Sequence, residues 1–149
     1  MTAITPVTSG PVGEFFNVRA ATAQANTGQT DWIVVPAWAQ FAEVFFNITA
    51  TAGTTPGPTT LSIKSADPKS LNDTNAVTLS AGSAIANTGG QVVDMGPGVT
   101  GIADAASATR VTINTVLPEL LGLTVLLDRT NGDETYTYNL SVTFRSGSR

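Results

Sequence analysis

Cysteine and histidine are both missing from this chain of 149 residues. Without cysteine there are no disulfides and no thiolate metal sites, and the redox compartment leaves no mark on the sequence. Without histidine the chain lacks the commonest general base and the commonest transition-metal ligand. Charge is also scarce, at 12% of residues against about 25% in ordinary globular domains. The seven basic residues stand singly, at Arg19, Lys64, Lys69, Arg110, Arg129, Arg145 and Arg149, in a chain of net charge −4. Phosphate-driven binding needs clustered cations, so no nucleic-acid partner is expected. The most apolar window, Val116 to Leu127, is broken by Pro118, Glu119 and Gly122 and falls short of the ~20 residues of a membrane helix. No membrane partner is expected either. Met1 to Gly13 has neither a basic start nor an apolar core, which predicts a protein made for the cytosol of its cell rather than for secretion.

What remains is a chain with 42% hydrophobic residues whose surface must be built from Thr, Ser, Asn, Gly and Ala. Such a surface is easily desolvated, as large assembly contacts require. The length suits one domain that buries roughly 68–70% of the surface of its unfolded chain.

The clearest local pattern is Leu121 to Phe144. With a tight turn at Asn131-Gly132, the dipeptide suited to a type I′ hairpin, Leu127 faces Tyr136, Val125 faces Tyr138, Leu123 faces Leu140 and Leu121 faces Val142. Arg129 and Glu134 close the turn end as an opposite-charge pair. A slip of one residue would set Asp128, Thr124, Thr135, Thr137 and Asn139 on that apolar face, so the pattern specifies its own register. An isolated hairpin is marginal in water, and other strands must cover it.

They are present. Met1 to Gly13, with Pro6 and Pro11, reads as an extended N-terminal arm preceding a domain of residues 14–149. Period-two alternation marks strands at Glu14 to Ala25, Thr30 to Val35, Gln40 to Thr51, Thr60 to Ala66, Ala76 to Ser80, Gly90 to Met95 and Thr109 to Val116. Trp32 is expected to seed the core, Val77 and Leu79 to point inward, and Phe41, Glu43, Phe45, Asn47 and Thr49 to share the outward face of their strand. With turn signals every 8–12 residues or so, the fold class is all-β: a single jelly-roll-like β-sandwich of about eight or nine short antiparallel strands.

Chemistry is thin. Gly96-Pro97-Gly98-Val99-Thr100-Gly101 matches G-x-G-x-x-G, but a dinucleotide fingerprint needs a βαβ unit that the chain lacks. Its glycines are better read as loop residues with positive φ. Asp67, Asn72, Asp73 and Asn75 miss the spacing of a calcium loop. Nothing brings Asp94 and Asp104 to the separation of a glycosidase pair, and Ser and Thr have no histidine to activate them. The expectation is a protein without catalytic residues, cofactor or metal. The sequons at Asn47, Asn72 and Asn139 mean little without a secretory signal. Trp38, in the Pro36 to Ala39 corner, is the one aromatic left over for stacking on a sugar.

Three segments carry a family likeness: "AEVFFNITATAGTTPGPTTLSIKSADP" (Ala42 to Pro68), "GQVVDM" (Gly90 to Met95) and "LGLTVLLDRTNGDETYTYNLSVTF" (Leu121 to Phe144). Their order of aliphatic strand, Thr/Gly/Pro loop, strand ending at Ser65-Ala66-Asp67 and closing "SVTF" resembles small virion proteins of tailed bacteriophages, of the head decoration or cement type. Asp67-Pro68-Lys69 and the apparent insertion from Ile102 to Val116 depart from that pattern. The resemblance implies a non-enzymatic viral structural protein on the outer capsid surface of the virion, partnered by the major capsid protein and by itself as a homotrimer. Within that reading the arm residues Thr5, Pro6, Val7, Pro11 and Val12 are the expected capsid or neighbour contact. Phe41, Glu43 and Phe45 are the expected intersubunit patch. The alternatives are a tail or fibre-base component of the virion and a carbohydrate- or receptor-binding β-sandwich module.

Overall fold

The computed structural model describes residues 6–7, 15–25, 27–69, 75–81, 84–85, 88–100 and 110–146. Among them the structure is all-β, with ten strands and no α-helix: β1 (Pro6–Val7), β2 (Phe15–Gln24), β3 (Gln29–Val34), β4 (Phe41–Ala52), β5 (Thr60–Ser65), β6 (Val77–Ser80), β7 (Gly89–Gly96), β8 (Arg110–Asn114), β9 (Leu120–Leu126) and β10 (Thr135–Arg145). They form two five-stranded sheets, in the orders β1-β3-β9-β5-β6 and β2-β10-β4-β7-β8. Most neighbours are antiparallel, but β1 runs parallel to β3 and β8 parallel to β7.

Alternation puts one face of each sheet into a shared interior. Ile33, Leu61, Ile63, Leu121, Leu123 and Val125 from the first sheet meet Val44, Phe46, Val93, Met95, Leu140 and Val142 from the second in one apolar cluster. Phe46 and Tyr138 meet edge to face within it, with ring centroids 5.1 Å apart, the arrangement that the aromatic quadrupole favours. The result is two layers over one core, the way two half-apolar sheets bury their greasy faces.

The Leu121 to Phe144 hairpin does not form. β9 pairs with β3 and β5, while β10 pairs with β2 and β4 in the other sheet. The residues expected to be cross-strand partners are all buried, Leu121, Leu123, Val125 and Leu127 on one side and Tyr136, Tyr138, Leu140 and Val142 on the other. They belong to the same core cluster from opposite sheets. The connecting segment is an arch. Its turn closes through Gly132 N–H to Arg129 O at 3.2 Å, one residue earlier than a type I′ turn would, with Gly132 at φ 82°.

Side chains hold the arch in this shape. The buried Tyr136 hydroxyl donates to the Asp128 carbonyl and accepts from the Gly57 amide at 3.0 Å. The Arg129 guanidinium donates to the carbonyls of Glu134, at 2.8 Å, and Ala25, at 2.7 Å. Glu134 does not make the expected charge pair; its carboxylate accepts from Asn131 Nδ2 at 2.8 Å and from the Gly132 amide at 2.9 Å.

Two smaller expectations also change. Trp32 is buried, but in a separate cluster with Ala66 and Leu120 rather than in the main core. Ile33, its neighbour in the chain, takes the inward place. Val77 is 62% exposed. It begins a four-residue edge strand whose register against β5 shifts between Ile63 and Lys64, so only Leu79 reaches the core.

A charged clamp ties the layers together at one side. Arg19 of β2 donates through Nε and Nη2 to Asp31 of β3, at 2.6 and 3.1 Å, and through Nη1 to the Tyr138 hydroxyl at 3.2 Å. Among the described residues no helix is long and apolar enough to cross a membrane.

Candidate functional site

On the outward face of the second sheet the register sets two carboxylates side by side. Glu43 of β4 lies opposite Asp94 of β7, and on its other flank opposite Thr143 of β10. Like charges directly across a sheet repel, so the pair persists only with cations beside it. Two arginines supply them. Arg110, at the start of β8, reaches Asp94 Oδ2 through Nη1 at 3.0 Å and Glu43 Oε2 through Nη2 at 3.9 Å. Arg145, at the end of β10, approaches Glu43 Oε1 at 3.5 Å.

The four side chains differ in how far they reach solvent. Glu43 and Asp94 are buried, at 6% and 8% exposure, whereas the side chain of Arg145 is 43% exposed. Burial holds the Asp94 carboxyl above its usual range, against the opposing pull of Arg110 and Arg145.

These residues form one wall of a cavity of about 300 Å3, at the lower end of the range for small-ligand pockets. Phe41, Ala42 and Met95 line its apolar part, and the turn Pro97–Thr100 closes over it. That turn is fixed. Gly98, at φ 76°, donates its N–H to Asn114 Oδ1 of β8 at 2.8 Å, and Val99 N–H reaches back to Gly96 O at 3.4 Å. The G-x-G-x-x-G segment is therefore, over its described part, a turn with positive-φ glycines that caps the parallel pair β7 and β8.

A second hollow, of about 550 Å3, lies where the β3–β4 and β8–β9 connections meet. Val34, Pro36, Val116 and Pro118 line it. Val34 is 45% and Val116 78% exposed, and Trp38, in the same corner, is 38% exposed.

Of the residues singled out from the sequence, Phe41 and Glu43 both line the smaller cavity, while Phe45 stands two residues along on the same face, 36% exposed. Glu43 faces outward from the core as the alternation requires, yet it is covered, and Arg145 presents the open charge of this face. Pro6 and Val7 pair in parallel with Trp32 and Ile33 of their own chain. Thr5, Pro11 and Val12, like Asn72, Asp73 and Asp104, lie outside the described residues.

Sequence reasoning missed Arg110, Arg145 and Asp94 as a group with Glu43. The available signal was the outward parity of Glu43 on β4 and of Arg145 on β10, which only the β4–β10 pairing converts into proximity. Among the described residues no group of three or more acidic side chains could hold a metal ion. No protein family, curated protein or solved structure matches this chain.

Proposed function

We propose that this chain is a non-enzymatic structural protein of a tailed-bacteriophage virion, which binds the outside of the capsid as a decoration or cement protein and acts as a homotrimer. The observation that carries the reading is the exposure of Val34 and Val116 on the Pro-walled hollow, with Trp38 exposed in the adjoining Pro36 to Ala39 corner. Exposed apolar side chains gathered about a hollow suit a contact with another macromolecule. The surroundings favour the same use, because much of the chain's small complement of charge is paired or hydrogen-bonded within the protein, in the Arg19–Asp31 clamp, the arch and the Glu43 cluster. That leaves a surface of low desolvation cost.

The strand order supports a jelly roll as the finer description of the fold. Four strands ordered β2-β10-β4-β7 face four ordered β3-β9-β5-β6, as in two interlocked Greek keys. β1 and β8 add to the edges by parallel pairing. Repeated copies on a shell would sum weak contacts into avidity.

Co-sedimentation of the purified protein with mature capsids lacking it, alongside its mass by light scattering, tests the reading. Saturable binding with a trimer mass is expected, and Val116→Asp should weaken binding at least tenfold while leaving the fold intact. No binding to capsids, with a monomer mass, would overturn it.

A further inference from the structure

We propose that the cavity walled by Phe41, Glu43, Asp94, Arg110 and Arg145 is a binding site for a neutral, ring-shaped polyhydroxylated ligand, a monosaccharide unit. This goes beyond the capsid-binding role and stands or falls separately from it. The chemistry of the wall narrows the class of ligand. Two guanidinium groups face two carboxylates at 3.0 to 3.9 Å, so the wall offers no net charge to an anion or to a cation. A purely apolar guest would strip water from the two partly exposed guanidinium groups and return no hydrogen bonds. A neutral guest with adjacent hydroxyls satisfies both kinds of group, since each hydroxyl donates to a carboxylate and accepts from a guanidinium.

Donors are at hand for it. Arg145 has five N–H groups in a rigid fork, approaches Glu43 through Nη2 and keeps a side chain 43% exposed at the cavity. The rest of the cavity is apolar, with the Phe41 ring, Met95 and Val99. A sugar ring presents just such a C–H face opposite its hydroxyl edge. The ring of Phe41 packs on the backbone of Gly96, and the 97–100 turn is pinned by Asn114, so the site is formed before a ligand arrives.

The test is saturation-transfer NMR on the full-length protein with glucose, galactose, mannose and N-acetylglucosamine at millimolar concentration. Acetate and guanidinium serve as ionic competitors. At least one sugar should give saturable transfer, weakened tenfold or more by Arg145→Met and by Asp94→Asn, and unchanged by Lys69→Ala on a remote exposed turn. Arg145 is half-exposed and Arg110 still reaches both carboxylates without it, so Arg145→Met keeps the fold and decides the matter if Asp94→Asn does not fold. Transfer from none of the four sugars, transfer indifferent to Arg145→Met, or displacement by acetate or guanidinium alone would overturn the proposal.

Discussion

Trp32 lies over Gly122, its cross-strand partner on β9, so closely that a Cβ placed on Gly122 would come within 2.8 Å of the indole ring. The glycine sits mid-strand, where it costs stability through backbone entropy. The indole compensates by covering the exposed backbone, and Leu120 and Ala66 complete the small cluster on that outer face. Gly122→Ala should therefore destabilise the fold by about 1–3 kcal/mol, as overpacking does, despite the better strand propensity of alanine. Urea denaturation would check it. A variant as stable as the parent would mean that the indole is free to move aside.

The same neighbourhood shows what can be read from residues alone. Alternation correctly sorted Leu121, Leu123 and Val125, and Tyr136, Tyr138, Leu140 and Val142, to the buried side. It could not say whether the two apolar rows were partners within one sheet or opponents across two, because both arrangements bury the same residues. The arrangement found is held by contacts that alternation does not register, among them the Tyr136 hydroxyl, bonded to Asp128 nearby and to Gly57 far off in sequence. Glu43 makes a parallel case. Its outward parity was legible, but its burial depends on Arg110 and Arg145, brought alongside by two other strands.

Arg19 and Asp31 join the two sheets through a clamp whose side chains are only 11% and 16% exposed. Removing one partner strands the other charge, so Arg19→Met should cost about 2–3 kcal/mol, somewhat under the 3–5 of a fully buried pair because the tips retain some water. Replacing both, as Arg19→Met with Asp31→Leu, should restore most of that loss. Equal losses in the single and double variants would show that packing of the Arg19 stem, rather than an uncompensated charge, sets the cost.

Gln91 is buried at 2% exposure opposite Phe46, and among the described residues neither its Oε1 nor its Nε2 has a hydrogen-bond partner. A buried amide without partners carries a desolvation penalty of about 1–3 kcal/mol. Gln91→Met keeps the length and flexibility of the side chain and removes both polar atoms. The variant should be more stable by about 1 kcal/mol, seen as a raised urea midpoint with an unchanged m-value. Lower stability would show that the amide is satisfied in solution by an internal water.

Acid should weaken the loops at the arch. The Thr54 hydroxyl and amide hold Asp133 below the usual carboxylate range. Burial pushes Glu134 up, but hydrogen bonds from the Asn131 side chain and from the loop amides prevail and leave it below its usual value. A carboxyl whose folded pKa lies under its unfolded one, near ~4 for Asp and Glu, contributes stability that is complete above that unfolded value. The contribution is lost as pH falls through the folded pKa. Asp94 runs the other way, since its raised pKa favours the protonated form in the folded state. The arch carboxyls should therefore contribute to an acid limb that lies below about pH 4. Thr54→Val removes the hydroxyl that donates to Asp133 Oδ2 at 2.7 Å, which returns the Asp133 pKa toward its unfolded value. The urea midpoint of Thr54→Val should accordingly fall less than that of the parent between pH 6 and pH 3. A parallel fall in both proteins would mean that the Thr54–Asp133 bond is not maintained in solution and that other carboxylates carry the acid limb.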